Sequence, residues 1–482
     1  MSEPRAVRAN PWWVLAGSCT GLFVLMLDST VVTLALPAIR RDLGASLDGL
    51  QWIQNAYLLT LAATVVTAGR LGDIVGRRRV FVCGMALFAI GSLVAGAAGT
   101  EEVLVAGRVL QGVGGAALLS LSLALTTAAF PPELQARALG IWAAVSAVAL
   151  AVGPLIGGLL IEEASWRWIF FVNLPVAVAG VLILMARGEE SRDPSSSRVD
   201  LAGVAMLAAG LATGVLALVQ ADEWRTGRTL AVAAASVALL IGFWVLEHRR
   251  EAPLIDFSLF RNGPYLGASA AAFALVGAYW VVMYFQPQYL QEGLGYGAVA
   301  AGALILPVTV PMAVFSPFSG RLIAAFGPRA TMTVGMLFGL AGIVLQAIAQ
   351  SDGSYTALIP GFACFGISLA LVYAPMSTAA MAAMPGSKCG VASGVLAMTR
   401  VLAGAVLLAV SGAIFQADVP SRIHGAGGEV GFADAIARAF IPSIVVLVIG
   451  TAITWLLVRA PERPGEPPGD PAHHQHHRRF HL

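Results

Sequence analysis

Charged residues are scarce in this chain of 482 residues. Asp, Glu, Lys and Arg make up 12% of it and hydrophobic residues 58%, whereas a typical soluble domain has about 25% charged and about 45–50% apolar residues. So few charges leave too little polar surface to cover a body of this size in water. Because a membrane-spanning helix needs about 20 mainly apolar residues, the composition predicts a protein with many membrane spans.

The chain also lacks the residues that several other classes of protein need. Its net charge is only +2, with no basic domain, so no nucleic-acid partner is expected. Its four cysteines are far apart, so neither a disulfide framework nor a metal site is expected, and no cofactor is predicted. The single lysine, Lys388, stands in Gly-Ser-Lys-Cys, which is not a phosphate-binding loop. ATP is therefore not the predicted energy source.

Apolar runs divide the chain into fourteen predicted membrane helices. With limits uncertain by about 2–4 residues, these helices cover about 12–36, 50–71, 80–99, 103–129, 138–160, 168–186, 201–220, 229–246, 264–286, 298–319, 331–350, 355–381, 391–415 and 435–458. The first run is about 25 residues long and has no small-residue cleavage site, so we expect it to remain as the first span rather than to be removed as a signal peptide.

Positive charge is distributed unevenly among the loops. With the N-terminus placed in the cytoplasm, most of the 29 Lys and Arg residues fall in cytoplasmic segments, as the positive-inside rule requires. The sequence therefore predicts a multi-pass protein of the lipid bilayer with both termini cytoplasmic. The excess of arginine over lysine is typical of a GC-rich bacterial genome, which favours the bacterial cytoplasmic membrane.

An internal repeat indicates a duplication. Residues 69–79, Gly-Arg-Leu-Gly-Asp-Ile-Val-Gly-Arg-Arg-Arg, reappear at 320–330 as Gly-Arg-Leu-Ile-Ala-Ala-Phe-Gly-Pro-Arg-Ala. The copies follow the second and tenth predicted helices, and the even separation is what a parallel repeat requires; chance similarity of two Gly/Arg loops is the alternative. We predict an all-α fold with a six-helix half at 1–187, a linker with two additional membrane helices at 188–262, a second six-helix half at 263–460 and a cytoplasmic tail at 461–482.

Asp28 is the most informative single residue. Of the 27 acidic residues, it alone lies well inside an apolar run. A carboxylate at the centre of a span costs roughly 2.5–3.5 kcal/mol on insertion scales, and removal from water favours the protonated form of a carboxyl group. Asp28 is therefore the candidate site for proton coupling and for attracting a cationic substrate. The alternative is a permanently paired carboxylate that only fixes the packing.

Two arginines also lie inside apolar runs. Counted from the predicted helix ends, Arg108 and Asp28 both lie roughly 10–12 Å below the outer boundary, at about 1.5 Å per residue. We expect Arg108 to approach Asp28 and to modulate its proton affinity; a backbone or cavity-water partner is the alternative. Arg400 is a candidate for binding an anionic substrate group, or else it caps facing carbonyls.

Aromatic residues of the ninth predicted helix are candidate substrate contacts. Tyr279 and Tyr284 belong to a run that also contains Trp280 and Gln286. Such side chains suit a cavity for flat lipophilic molecules. Anchoring of Trp and Tyr at the membrane interface explains some of them equally well.

Five local motifs occur in a specific order. They are Leu27-Asp28-Ser-Thr-Val-Val-Thr-Leu-Ala-Leu-Pro37; the loop from Gly69 to Arg79, with Ile74 where a basic residue is common; Leu104-Val-Ala-Gly-Arg108-Val-Leu-Gln111-Gly112-Val-Gly114; Gly153-Pro154-Leu-Ile-Gly157-Gly158; and Trp166-Arg-Trp-Ile-Phe-Phe-Val-Asn-Leu-Pro175. Together they resemble the major facilitator superfamily, specifically its fourteen-spanner drug:proton antiporters. The resemblance covers nearly the whole chain.

The resemblance implies a gate in the loop motif. Gly69, Asp73, Arg77 and Arg78 belong to a tight cytoplasmic turn of mixed charge, and the resemblance implies that Asp73 forms a charge-relay gate at the helix ends when the pore is closed inside. The alternative for Arg78 is that it serves only to orient the protein in the membrane. The equivalent of Asp73 in the second copy of the repeat is Ala324, so this gate would belong to the N-terminal half.

The fifth-helix motif combines a helix breaker with small residues. Gly153 and Pro154 are expected to break the helix, because proline removes a backbone hydrogen bond. Gly157 and Gly158 allow close packing. The resemblance links this motif to antiport, as a hinge or seal between the halves; an ordinary packing kink is the alternative.

These observations predict a transporter rather than an enzyme. We expect proton-coupled efflux of small amphipathic or lipophilic drugs or antibiotics by alternating access, with the substrate, protons and the bilayer as partners. A symporter or uniporter of a small metabolite is the alternative, against which the fifth-helix motif argues.

A polytopic membrane enzyme would need clustered acidic or His residues at the membrane edge. The four histidines within 473–477 are able to bind metal, but a solvated tail is the simpler interpretation.

Overall fold

The computed structural model describes residues 10–192, 200–220, 224, 226–250, 253, 255–384, 389–423 and 428–458. The predicted tail at 461–482 and Lys388 lie outside these residues. The regular structure of the described residues is helical, without strands. In chain order the helices are α1 (Pro11–Leu43), α2 (Leu47–Val75), α3 (Arg77–Gly96), α4 (Glu101–Ala129), α5 (Pro132–Glu163), α6 (Trp168–Phe171), α7 (Asn173–Arg187), α8 (Leu201–Val219), α9 (Thr226–His248), α10 (Gly263–Gln288), α11 (Ala298–Leu304), α12 (Leu306–Ala349), α13 (Tyr355–Ala382), α14 (Cys389–Ile423), α15 (Gly428–Ala439) and α16 (Ile441–Leu457).

Thirteen stretches of the described residues are long and apolar enough to cross a membrane. One of them, Ala298–Asp352, has 55 residues, about twice what a single crossing needs. Its backbone leaves the helical region at Gly327 (φ 78°, ψ 165°), directly before Pro328. Counted as two crossings that meet at this turn, the stretch agrees with the fourteen helices predicted from the sequence.

Packing separates the crossings into two bundles. In the N-terminal bundle (11–187), α1 packs on α4, α5 and α7, and α3 packs on α4 and α7. In the C-terminal bundle (263–457), α10 packs on α13, α14 and α16, and α12 packs on α13 and α16. The bundles meet where α2 packs on α14, α1 on α10 and α5 on α11.

The two ends of the molecule are named here after two glycines with positive φ. Gly44 (φ 65°) joins α1 to α2 at the "Gly44 end", which the sequence predicts to be external. Gly76 (φ 130°) joins α2 to α3 at the "Gly76 end", which the sequence predicts to be cytoplasmic. Gly327 occupies the same place in the second copy of the repeat as Gly76 in the first, and both bend the backbone between consecutive helices.

The inserted helices lie beside the contact between the bundles. α8 and α9 form a hairpin, and α8 packs on both α2 and α14. At the Gly44 end, Gln220 Nε2 donates to Asp48 Oδ2 at 2.5 Å. At the Gly76 end, the Arg70 guanidinium donates to the carbonyl of Pro253, beyond α9. The hairpin is thus attached to the N-terminal bundle at both ends.

Helix limits differ from the predicted ones in a consistent way. α1 continues through Pro37 to Leu43, beyond the predicted end at residue 36, and α5 already begins at Pro132. Apolar runs reflect the thickness of the hydrocarbon layer, whereas the hydrogen bonds of a helix continue into the polar interface.

The prediction that Gly153 and Pro154 break the fifth helix is wrong, since α5 runs without interruption from Pro132 to Glu163. A proline removes a single backbone hydrogen bond, and neighbouring helices make this tolerable in a membrane.

Candidate functional site

Asp28 and Arg108 form a direct ion pair inside the N-terminal bundle. Arg108 Nη1 donates to Asp28 Oδ2 at 2.5 Å, and neither side chain is accessible to solvent. α1 supplies the carboxylate and α4 the guanidinium, so the pair fixes these two helices against each other. Breaking a buried pair by removing one partner leaves an uncompensated charge, which costs about 3–5 kcal/mol.

A network of neutral side chains completes the surroundings of the Asp28 carboxylate. Gln111 Nε2 donates to Asp28 Oδ1 at 3.0 Å and to Ser92 Oγ at 2.8 Å. Asn173 Nδ2 lies 3.4 Å from the same two oxygens. These residues come from α4, α3 and α7, so four helices converge on one carboxylate. All three side chains are fully buried.

Arg108 has further partners besides Asp28. Its Nη1 also donates to Gln111 Oε1 at 2.8 Å, and its Nε donates to the backbone carbonyl of Ile53 at 3.1 Å. The guanidinium carbon lies 4.2 Å from the centre of the Tyr57 ring, a cation–π arrangement. Arg108 is therefore held by α2 as well as by α1.

The loop motif lies at the Gly76 end and contains local ion pairs. Arg77 Nε donates to Asp73 Oδ1 at 2.8 Å, one helical turn away. The Arg78 guanidinium donates to the Gly188 carbonyl at 2.7 Å, after the end of α7. Gly69 faces Ser120 of α4, with room for ordinary contact. The structure thus places these four predicted gating residues at one end of the N-terminal bundle.

Glu190 binds the first turn of α3 and was not identified from the sequence. The backbone N–H of Arg78 donates to Glu190 Oε1 at 3.0 Å, and that of Arg79 donates to Glu190 Oε2 at 3.3 Å. The N–H of Arg77 donates to the carbonyl of Ser191 at 2.9 Å. A carboxylate at a helix N-terminus pairs with unsatisfied N–H groups and with the helix dipole. The loop after α7 therefore caps α3, the helix that follows the loop motif.

The fifth-helix glycines bring α5 close to two different helices. A Cβ at Gly153 or Gly157 would overlap Thr30 or Val31 of α1. A Cβ at Gly158 would lie 2.6 Å from the Cα of Val299, which belongs to α11 of the other bundle. The glycines therefore let α5 pack closely on α1 within the N-terminal bundle and on α11 of the C-terminal bundle.

Polar contacts between the bundles lie at the Gly44 end. Gln291 Nε2 donates to the Leu34 carbonyl at 2.9 Å, and the N–H of Val299 donates to Glu162 Oε1 at 2.9 Å. Arg40 Nη1 lies 3.7 Å from Glu292 Oε2. These three polar contacts therefore join the bundles at the Gly44 end.

The three predicted substrate contacts in the C-terminal bundle do not form one cluster. The Arg400 guanidinium stacks on the Tyr373 ring, with 4.7 Å between its central carbon and the ring centre, and it donates to Ser377 Oγ. Tyr279 of α10 lies within electrostatic reach of Tyr373. Tyr284 is buried nearer the Gly44 end and packs edge-on against Phe285. Arg400 and Tyr279 are thus candidates for one site, and Tyr284 lies apart from it.

Ser92, Asn173 and Tyr57 were also missed as site residues. Asn173 belongs to the motif at 166–175, but its spacing gives no indication that it faces Asp28. Ser92 is one of several small polar residues in apolar runs, and nothing in the sequence distinguishes it. Ser92 and Asn173 are identified as site residues only in the folded structure, where α3 and α7 lie next to α1.

Comparison with known proteins places the chain in a family. The family described as Major Facilitator Superfamily matches residues 18–408. The tetracenomycin C resistance and export protein of Streptomyces glaucescens is 34% identical over 443 residues, which are 91% of this chain and 80% of the relative. The multidrug resistance protein Stp of Mycobacterium tuberculosis is 34% identical over 82% of this chain and 74% of its own length. The puromycin resistance protein pur8 of Streptomyces alboniger is 30% identical over 93% of this chain and 91% of its own length.

Solved structures share the fold at low sequence identity. A bacterial homologue of the human lysosomal transporter Spinster, in an inward-facing and unoccupied conformation, has a TM-score of 0.66 at 17% identity and covers 93% of this chain and 97% of its own. A D-xylose–proton symporter has a TM-score of 0.66 at 14% identity, and the match covers 95% of this chain and 99% of the symporter chain. At these identities the likeness concerns the fold alone.

Proposed function

The chain belongs to the major facilitator superfamily, and from this premise we propose that it exports small amphipathic or lipophilic drugs or antibiotics in exchange for protons. It is a multi-pass membrane protein of a transporter family, so we propose a transport role and no enzymatic reaction. The relatives named for resistance to tetracenomycin C, to puromycin and to several drugs support efflux and an antibiotic-like substrate. The proposed location is the bacterial cytoplasmic membrane, with both termini in the cytoplasm.

The observation that carries the proton coupling is the buried Asp28–Arg108 pair. A carboxylate with no access to solvent is expensive inside a membrane unless it is paired or protonated. Protonation of Asp28 removes its negative charge and with it the attraction to Arg108 at 2.5 Å. Because α1 and α4 are held together by this attraction, gain and loss of the proton change how the two helices pack. A proton at Asp28 is therefore able to bias a conformational change.

The contacts between the bundles support alternating access as the proposed mechanism. Contacts such as Gln291 to Leu34 and Val299 to Glu162 fasten the bundles at the Gly44 end. With the proposed orientation, this is the state closed to the outside. Export then requires these contacts to part while the loop motif with Asp73 and Arg77 closes the cytoplasmic side. We propose that the two moving parts are the halves at 1–187 and 263–460, which contain the two bundles.

The substrate is proposed to contact the C-terminal bundle near Arg400 and Tyr279. The Arg400 guanidinium has Ser377 and the Tyr373 ring as neighbours, which leaves its charge uncompensated by these partners. Aromatic rings beside it suit flat lipophilic molecules. We place the substrate there and the proton at Asp28, so the two ligands act through the packing of the bundles.

The energy of one proton suffices for efflux. A charge that moves through 100 mV gains about 2.3 kcal/mol. A membrane potential of roughly 150 mV therefore supplies about 3.4 kcal/mol per proton. At about 1.4 kcal/mol for each factor of ten, one proton sustains a several-hundred-fold gradient of a neutral substrate.

The test is efflux from a pump-deficient bacterium that expresses the chain. A panel of lipophilic dyes and antibiotics, including puromycin and tetracenomycin C, is followed with and without an uncoupler. We expect uncoupler-sensitive efflux in the wild type and its loss in Asp28→Asn at matched expression. Asp352→Asn, which makes the same change at an exposed residue, should export normally. Efflux that survives in Asp28→Asn contradicts the proposed proton site, and proton-driven uptake would instead indicate a symporter.

A further inference from the structure

The hydrogen-bond partners of Asp28 differ in their freedom to turn. Gln111 is fixed, because its Oε1 accepts from Arg108 Nη1 at 2.8 Å, and a guanidinium is able only to donate. Its Nε2 must then face Asp28 and Ser92. When Asp28 is ionised this arrangement is ideal. When Asp28 is protonated, Arg108 offers no acceptor, and Gln111 Oε1 faces Arg108 rather than Asp28.

Asn173 is not fixed in this way. Its Nδ2 lies 3.4 Å from Asp28 Oδ1 and 3.4 Å from Ser92 Oγ. Its Oδ1 is buried and has no hydrogen-bond partner, although the side chain is fully shielded from solvent. A buried acceptor without a donor costs about 1–3 kcal/mol. The network around the ionised carboxylate therefore includes one unused acceptor, on a side chain that already contacts Asp28.

We propose that Asn173 is the positioning residue that accommodates both protonation states of Asp28. With Asp28 ionised, the amide N–H of Asn173 donates to the carboxylate. With Asp28 protonated, a half-turn of the carboxamide about its terminal torsion exchanges nitrogen and oxygen, and Oδ1 accepts from the new O–H. The proton stays on Asp28 throughout, and no covalent bond in Asn173 changes. This inference rests on the proposed function, for which it supplies the partner of the protonated state.

The other groups around Asp28 do not replace this role. Arg108 of α4 pairs with Asp28, and the phenol of Tyr57 on α2 lies within electrostatic reach of it. α3 and α7 contribute the neutral Ser92 and Asn173, and α5, on another side of α1, brings Gly153 next to Thr30. The Thr30 hydroxyl donates to the Leu27 carbonyl of its own helix at 3.0 Å and makes no hydrogen bond to Asp28 among the described residues. The Asn173 side chain contacts Asp28 and has an acceptor without a donor, so it is suited to a protonated Asp28.

The test is a pH titration of the purified protein by infrared difference spectroscopy, which needs no substrate. The signal is the carboxyl band that is present in the wild type and absent in Asp28→Asn. In Asn173→Val, protonated Asp28 loses its acceptor, whereas ionised Asp28 keeps Gln111 and Arg108. We expect the midpoint of the titration to move to more acidic pH by up to about one pH unit, since one unit corresponds to 1.36 kcal/mol.

Matched variants separate hydrogen bonding from packing. Asn173→Thr has the shape of the valine variant but keeps a hydroxyl, and its midpoint should lie near that of the wild type. Asn55→Val removes another fully buried carboxamide, on α2, and should leave the midpoint unchanged. If the valine variant does not fold, Asn173→Leu, whose side chain has the same branched skeleton as asparagine without its polar atoms, takes its place. Equal midpoints in the valine, threonine and wild-type proteins would overturn the inference while leaving the proposed function intact. The absence of any band that depends on Asp28 would overturn the proposed proton site itself.

Discussion

Gly302 faces the carbonyl oxygen of Pro154 so closely that a Cβ at position 302 would lie 2.2 Å from that oxygen. Gly302 belongs to α11 and Pro154 to α5, so the contact joins the two bundles near the Gly44 end. Real Cβ atoms essentially never approach another heavy atom closer than 3.0 Å. Any side chain at position 302 must therefore push the bundles apart.

Gly302→Val is expected to destabilise the state that is closed at the Gly44 end. Overpacking of a tight contact costs about 1–3 kcal/mol, which changes a conformational equilibrium by a factor of about 5–150. Spin labels at the exposed residues Glu163 and Asp352 report the distance between the bundles at this end, and the distance should increase. Gly140→Val is the control, because nothing lies within 4 Å of a Cβ at Gly140. Unchanged distances in Gly302→Val would show that the contact does not limit closure.

Gly327 permits the turn between the two crossings of α12. Its φ of 78° lies where residues with a Cβ are strained, at a cost of about 1–3 kcal/mol. Gly327→Ala should therefore lower the apparent melting temperature of the protein in detergent. Gly320→Ala changes a helical glycine with open space around it, and should stabilise the protein by about 0.5–1 kcal/mol. Equal melting temperatures for the two variants would contradict this assignment of strain.

Charges within apolar runs made the central pair predictable. Asp28 and Arg108 each lie inside a span, where a charge needs a partner. Their similar predicted depth was therefore enough to predict that they pair. The sequence also predicts the number of crossings, because an apolar run of about 20 residues matches the thickness of the hydrocarbon layer. The repeat even matches Gly76 with Gly327, whose backbones both turn with positive φ.

Further features depend on packing that a single sequence does not contain. Pro154 has the character of a helix breaker, yet α5 remains continuous because its neighbours tolerate one missing hydrogen bond. The partners Ser92 and Asn173 lie on helices whose position beside α1 is set by the whole bundle. Glu190 resembles an ordinary loop acid in the sequence, since its contact with the first turn of α3 joins residues more than a hundred positions apart.

Glu190→Ala should destabilise the start of α3. The variant removes the carboxylate that accepts from the N–H groups of Arg78 and Arg79. Loss of a helix cap costs about 0.5–2 kcal/mol, so the melting temperature should fall. Glu190→Gln keeps an acceptor and should lose less. Glu163→Ala, at an exposed residue, serves as the control, and a similar loss there would rule out a specific cap at α3.

Arg400→Gln should reduce the recognition of anionic substrates without affecting neutral ones. The guanidinium stacks on Tyr373 and donates to Ser377, and its Nε is buried without a hydrogen-bond partner. A hydrogen bond to a charged group contributes about 1.5–3 kcal/mol, so affinity for an anionic compound should fall by about ten-fold or more. Competition against the efflux of a neutral dye measures this affinity. Arg321→Gln makes the same change at an exposed arginine of the Gly76 end and should leave competition unchanged. If anionic and neutral competitors weaken equally in Arg400→Gln, the residue supports the shape of the site rather than binding a negative charge.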